Sequence, residues 1–318
     1  MGKLSISAAI SKYNELYQVE FEAGIGSSAQ FDQQWRPFVW APTQEEISGV
    51  NVAYTAINGA GMPLYGGGNP LQYTTMSVYE TFVEAQQRGL GFAVDTVDFE
   101  EDKAGLYNGV SFSLGQKARR FPWIEFWRLM TGPAFDGSEG FSGPDDTTLF
   151  SASHPFVDEN GATVTYSNTT TAAFSENAYN SAIQAIRQFR SFSGEYLGVG
   201  EDWVVVVGPS NEALARSLFE ASLVNGGDTN TIIRPKAWFV NHYLVGSRAN
   251  YWFLMRMPMN PRERFLLVHE PQQAMLVSDM DQNSESVWTN SEYRWRVQQR
   301  FGIGPNMPSA AYGSTGAG

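Results

Sequence analysis

The chain has 318 residues, Lys+Arg 21 against Asp+Glu 33 for a net charge of −12, 42% hydrophobic residues and no cysteine. That length and apolar content suffice for one large domain or two modest ones. The acidic balance argues against a dedicated nucleic-acid binder, which needs a basic face for phosphates, and the missing thiols exclude disulfides, thiolate catalysis and cysteine-ligated metal centres.

Residues 1–5 carry no apolar core of signal-peptide type, and no run approaches the ~18 apolar residues of a membrane span. The expectation is a soluble protein, made and used in a cytoplasm. Ile6, Ala9, Ile10, Tyr13, Leu16 and Tyr17 recur at helical spacing and predict a helix over 6–22, ended near Gly24 and Gly26. Residues 27–49, with Pro37 and Pro42, read as an irregular arm. Residues 50–97 form a long extended segment, broken by Gly66-Gly67-Gly68-Asn69-Pro70 and rich in β-branched and aromatic residues from Tyr73 to Val83. A lone two-stranded excursion is marginal in water unless something covers one face. No neighbouring stretch of sequence supplies that cover, so the segment points toward another copy of the same chain.

The acidic run Asp98-Phe99-Glu100-Glu101-Asp102 sits where a helix start favours negative charge. Leu106, Val110 and Leu114 follow at every fourth position, Lys117, Arg119 and Arg120 lie further on, and Pro122 predicts a kink or a fresh start. Trp123, Phe126, Trp127 and Met130 carry the stripe to Gly132. Residues 132–146 read as loop and 147–170 as short strands with a turn at 158–161. Ser175 is a good N-cap for a helix carrying Tyr179, Ala182, Ile183 and Ile186, closed by Gly194. Trp203–Val207 reads as a buried strand, and Gly208-Pro209-Ser210 opens a helix stopped by residues 225–227. Strands are expected at 251–257, 265–269 and 293–297. Ser309–Gly318 is small and polar, the composition of a frayed terminus.

Candidates for chemistry are thin. His154, His242 and His269 share no metal-ligand spacing and read as structural histidines. Ser153 and His154 are adjacent, so in a strand they point to opposite faces and do not form a nucleophile pair. The 98–102 carboxylates could do acid–base work, but helix-start charge explains them more simply. Asp279-x-Asp281-x-Asn283 begins like a calcium loop, then has Ser284 where Gly is required and Asn290 where a bidentate Glu is needed. Gly198-x-Gly200 lacks the third Gly and precedes a strand, and Gly66–Gly68 lacks the Lys-Ser/Thr of a phosphate loop. Trp 9, Tyr 14 and Phe 21 suit core and interface packing, with sugar or base stacking as the other option.

Several segments, in this order, resemble the major head (major capsid) proteins of Mu-like tailed phages. They are residues 98–102 with Gly105-Leu106-Tyr107, Leu149–Pro155, Ala185–Phe189, Val207–Glu212 with Ala215-Arg216, and Ala311–Gly316. The resemblance spans roughly residues 75–318, and the first 50 match more loosely. It implies an α+β, tailed-phage major capsid (HK-97-like) fold. Residues 1–49 would be the N-terminal arm and 50–100 the extended hairpin loop. Residues 101–170 would be the peripheral domain with its spine helix, 171–249 the axial domain, and 250–318 the peripheral return and tail. It implies self-assembly as hexamers and pentamers into an icosahedral head around double-stranded DNA, in the virion capsid, assembled in the bacterial host cytoplasm. Portal and scaffold or cementing proteins would be partners, with no membrane, cofactor, metal or catalytic residue. Tyr79, Phe82, Arg88, Glu100, Glu101, Asp102, Arg119 and Arg120 are the intersubunit candidates. An encapsulin-like compartment shell is the alternative on the same fold. A carbohydrate-active enzyme using Glu100 and Glu101 is the alternative from another class.

Some relatives in such families crosslink through a Lys on the extended loop. The lysines here are Lys3, Lys12, Lys103, Lys117 and Lys236, none within 50–97. Mature particles boiled in detergent are therefore expected to run as a single monomer band, and a ladder of covalent multimers would refute this.

Overall fold

The computed structural model describes residues 6–42, 49–57, 76–101, 107, 109–158, 162–191, 197, 203–221, 223–224, 228–258, 260–281 and 284–317. Helix α1 (Ile6–Ser27) opens the chain, and two 3-10 turns lead to the short strand β1 (Val39–Trp40). Strands β2 (Gly49–Ile57) and β3 (Met76–Glu84) pair antiparallel along their whole length. After Ala85 the chain enters β4 (Gln86–Asp95). The Asp95 side chain accepts from the Val97 N–H and caps the short helix α2 (Thr96–Glu100). The long helix α3 (Val110–Met130) starts after Gly109, whose φ of 85° suits glycine. Helix α4 (Pro133–Asp136), the hairpin β5 (His154–Val157) and β6 (Thr163–Tyr166), and β7 (Thr169–Thr170) follow.

Ser175 accepts from the Ala178 N–H and starts helix α5 (Glu176–Ile186). Then come β8 (Trp203–Val207), α6 (Glu212–Phe219), β9 (Leu223–Val224), β10 (Asp228–Thr229), β11 (Ala237–Val240) and β12 (Trp252–Arg256). The chain closes with β13 (Leu266–Asp279), α7 (Glu285–Asn290), β14 (Glu292–Pro305) and β15 (Ala311–Ser314).

Two sheets organise the molecule. One has the order β1-β13-β14-β4, the other β11-β8-β12-β15-β7. In the second, all five residues of β8 are buried, as expected for an apolar run flanked on both edges. Its core takes Tyr179, Ile183 and Ile186 of α5 and Leu218 and Phe219 of α6. The largest core joins the C-terminal half of α3 (Trp123, Phe126, Trp127, Met130) to residues from both sheets, including Phe253 and Leu266. A third core sets α1 and the start of α3 on the β4–β14 face, where Tyr17 meets Trp295 edge-on at 4.9 Å.

The helix pair α1–α3 depends on two glycines. A Cβ at Gly24 would lie 2.1 Å from the Phe112 carbonyl oxygen, and one at Gly115 would lie 2.2 Å from that of Phe21. Gly24 therefore marks a close approach, and α1 runs through it to Ser27 instead of stopping there.

Other sequence expectations shift for equally physical reasons. The 98–102 carboxylates do not start the long helix, which begins at Val110; Asp98 instead accepts from the Tyr107 hydroxyl at 3.0 Å, and Asp102 lies outside the described residues. Lys117, Arg119 and Arg120 sit mid-helix, and Arg128 occupies the last turn. Pro122 neither ends nor restarts α3, because buried aromatics on the next two turns hold the helix against the main core. Residues 86–95, expected with the hairpin loop, form the edge strand beside β14. Residues 252–256 and 311–314, expected in the peripheral return, pair in the β8 sheet. The tail is no frayed end: β15 is threaded between β12 and β7, and its small residues are needed because a Cβ at Gly313 would meet the Phe150 ring at 2.8 Å. The Gly66–Gly68, Gly198-x-Gly200, Gly194 and 225–227 expectations lie outside the described residues.

Gly115→Val would push α1 off α3. The expected loss is about 1–3 kcal/mol of stability, measured by urea denaturation; an unchanged midpoint would mean the crossing tolerates a side chain.

Candidate assembly surface

Of the residues weighed for catalysis, His154 is taken up by the fold. His154 is buried. Its Nδ1 lies 2.7 Å from Asp145 Oδ2 and 2.9 Å from Thr147 Oγ1, and its Nε2 lies 3.1 Å from Asn168 Oδ1. Asn168 is locked in turn: its Nδ2 donates to the Leu149 and Pro308 carbonyls at 2.8 and 2.9 Å, and its Oδ1 accepts from the Ser151 N–H at 2.8 Å. This network ties the 145–168 segment to the C-terminal segment, and Ser153, just before β5, is exposed. Among the described residues no cluster of three or more His, Asp or Glu could hold a metal ion. Asp279 accepts from Ser286 at 2.7 Å, so the calcium-like run is the approach to α7.

The outer face of the β2–β3 hairpin has a different character. Val50, Val52 and Val83 turn inward onto Leu267, and Thr81 Oγ1 donates to the Pro305 carbonyl at 2.9 Å. Burial pushes the Tyr54 hydroxyl up to about 12, so it stays protonated and donates to Asn306 Oδ1 and, at 3.2 Å, to the Arg262 carbonyl. The chain itself thus covers one face of the hairpin, which sequence reasoning did not foresee. Opposite residues of an antiparallel pair share a face. Asn51 and Ala53 therefore lie outward with Phe82 and Glu80, in a row that also holds Met76 and Val78. Met76, Val78 and Phe82 are 68%, 59% and 62% exposed. Three large apolar side chains are thus aligned on one open strand face.

The eight candidates divide accordingly. Phe82 belongs to this outer face. Tyr79 turns the other way and packs on the main core of its own chain. Arg88 lies exposed on β4, donating to Gln86 at 2.9 Å with its guanidinium 5.6 Å over the Phe121 ring. Arg119 is engaged within the chain by Asp32, and Arg120 lies 4.9 Å over Phe31. Asp32 also takes Arg36 at 3.1 Å, tying the arm to α3. Glu101 is exposed at the end of α2, and neither Asp102 nor the Glu100 side chain is among the described positions. Sequence reasoning missed Trp288, 87% exposed on α7, and Leu90 on β4. The available signal was an isolated Trp in the polar stretch 279–292, with no apolar partner at helical spacing.

Comparison with known proteins identifies this architecture. Residues 79–314 match the family described as phage capsid protein. No curated protein matches the chain. Among solved structures, the procapsid of bacteriophage JBD30 is 14% identical with a TM-score of 0.52, covering 98% of this chain and 76% of the other. The capsid of an empty GTA particle is 10% identical with a TM-score of 0.54, covering 88% of each chain. The virus-like particle from Pyrococcus furiosus is 11% identical with a TM-score of 0.52, covering 94% and 98%. At these identities the likeness is one of fold.

Because Arg119 is engaged inside its own chain, Arg119→Ala should destabilise the isolated subunit by about 1 kcal/mol, since the largely buried Asp32 loses one of its two cations and keeps only Arg36. A lowered denaturation midpoint of the unassembled chain is expected; a defect confined to assembly would return Arg119 to the interface.

Proposed function

Since the chain belongs to the phage capsid protein family, we propose that it is the major head subunit of a Mu-like tailed phage, assembling as hexamers and pentamers into an icosahedral shell around double-stranded DNA. It is a structural protein with the tailed-phage capsid fold, not an enzyme. In this reading residues 1–49 are the arm, the hairpin from Gly49 to Glu84 is the extended loop, and α3 is the spine helix. The β13–β14 sheet is the peripheral domain. The β8 sheet, with β12 and β15 added, is the axial domain.

The observation that carries this reading beyond the family is the outer hairpin face. Met76, Val78 and Phe82 stay in water on one strand face, while the large apolar side chains of β8 and β12 are packed in cores. Laid across the next copy, the hairpin would bury them. Such a contact joins two different patches, so it can repeat from copy to copy around a ring. Many copies of one modest contact then add up through multivalency. With no cysteine, cohesion must come from packing, arm exchange or a separate cementing protein.

A net charge of −12 supports a wall that does not condense on DNA, so the genome can enter and leave freely. Portal and scaffold or cementing proteins would be the partners, and the host cytoplasm the place of assembly. A compartment holding other cargo on the same fold is the alternative; the family match favours the head.

Electron microscopy of the chain expressed alone tests this, and closed shells, tubes or rings are expected. Val78→Asp with Phe82→Asp should abolish them while leaving the circular dichroism and denaturation midpoint of the subunit unchanged, since both side chains already face water. Normal shells from that variant would remove the hairpin face from the contact.

A further inference from the structure

Helix α7 presents one side chain that its own chain leaves uncovered. Trp288 is 87% exposed, whereas Ser286 is buried and Val287 packs on the third core. The helix is firmly held. Ser284 accepts from the Val287 N–H, Ser286 donates to Asp279 at 2.7 Å, and the Thr96 N–H donates to the Ser291 carbonyl at 2.9 Å. A rigid turn thus offers an aromatic knob, of the residue type most enriched at binding hot spots. Glu285 lies exposed one turn before it, on the same helical face.

The chain also carries a hollow. Leu90, Ala118, Phe121 and Val297 line an open cavity of about 240 Å³ between β4 and α3, with Arg88 and Lys117 at its rim. Leu90 is half exposed in it. The cavity has room for a bicyclic side chain and apolar walls to receive one. Its rim is cationic where the knob is flanked by a carboxylate.

The knob does not reach its own hollow. The ladder sets Glu292 beside Asp95 and Val297 beside Leu90. The cavity therefore lies down the strands from α7 by about 17 Å at the rise of a β-strand. The two features can meet only between copies. The outer hairpin face is another exposed apolar patch among the described residues, and it is a strand face with no single projecting knob.

Resting on the shell reading above, we infer that Trp288 of one subunit seats in the Leu90–Phe121 hollow of another, with Glu285 paired to Lys117 at the rim. Knob and hollow are different patches, so the contact is heterologous and can repeat from copy to copy.

A carbodiimide, which joins a carboxylate to a nearby amine as an amide, tests this on particles assembled from mixed isotope-labelled and unlabelled chains. Mass spectrometry should find Glu285 linked to Lys117 across the two kinds of chain, and Lys117→Arg should abolish the link. Trp288→Ala, folded by circular dichroism, should raise the concentration needed for assembly by about tenfold or more. Particles without the link, or an unchanged assembly concentration for Trp288→Ala, overturn the contact and leave the shell reading standing. A link from Lys117 to Glu80 places the hairpin in the hollow and also overturns it. A chain that forms no shell, alone or with phage assembly factors, overturns the shell reading and this contact with it.

Discussion

The pairing of β13 with β14 is the constraint on which the rest of the molecule hangs. It runs from Leu266↔Pro305 to Asp279↔Arg294, with register shifts near Gln272. Each strand has fourteen residues, so the ladder is a long rod whose two edges, two ends and faces all serve. β1 docks parallel on one edge and β4 antiparallel on the other. The hairpin roots at one end through Leu267 and Pro305, and α7 sits at the opposite end. α1 and α3 cover a face, their close crossing allowed by Gly24 and Gly115.

That geometry divides the apolar residues into two populations. Those facing the rod, the helices or the β8 sheet are closed off in contiguous cores. Those on parts that project from the rod, Phe82 on the hairpin and Trp288 on the tip helix, remain in water. An isolated subunit gains nothing from exposing them. A repeating assembly gains at every copy, which gives exposed apolar side chains on the projecting parts a use that an isolated subunit lacks.

Polar groups in the interior serve position. Asn306 donates to the Arg262 and Arg264 carbonyls at 2.9 and 2.6 Å while accepting from Tyr54, which fixes the hairpin root to the loop before β13. Asn168 does the same for the C-terminal segment. Arg119 and Arg36 hold the arm through Asp32. Such pins fix where the projecting elements leave the body, and a shell contact repeated many times depends on that direction.

Sequence by itself determined what local chemistry can fix. Ser175 as a cap, the buried β8 strand and the apolar stripe of α3 followed from spacing and side-chain type. The ordered segments between residues 75 and 318 were enough for the family resemblance. Tertiary structure alone decided the rest. Whether Gly24 ends a helix or lets two helices touch depends on Phe112, distant in sequence. Whether Arg119 meets a neighbour or Asp32, and whether a small polar tail frays or threads between β12 and β7, depends on partners the local pattern does not name. The side of the hairpin left in water was likewise set by the β13–β14 ladder, because strand alternation gives two faces and only long-range packing chooses which one is covered.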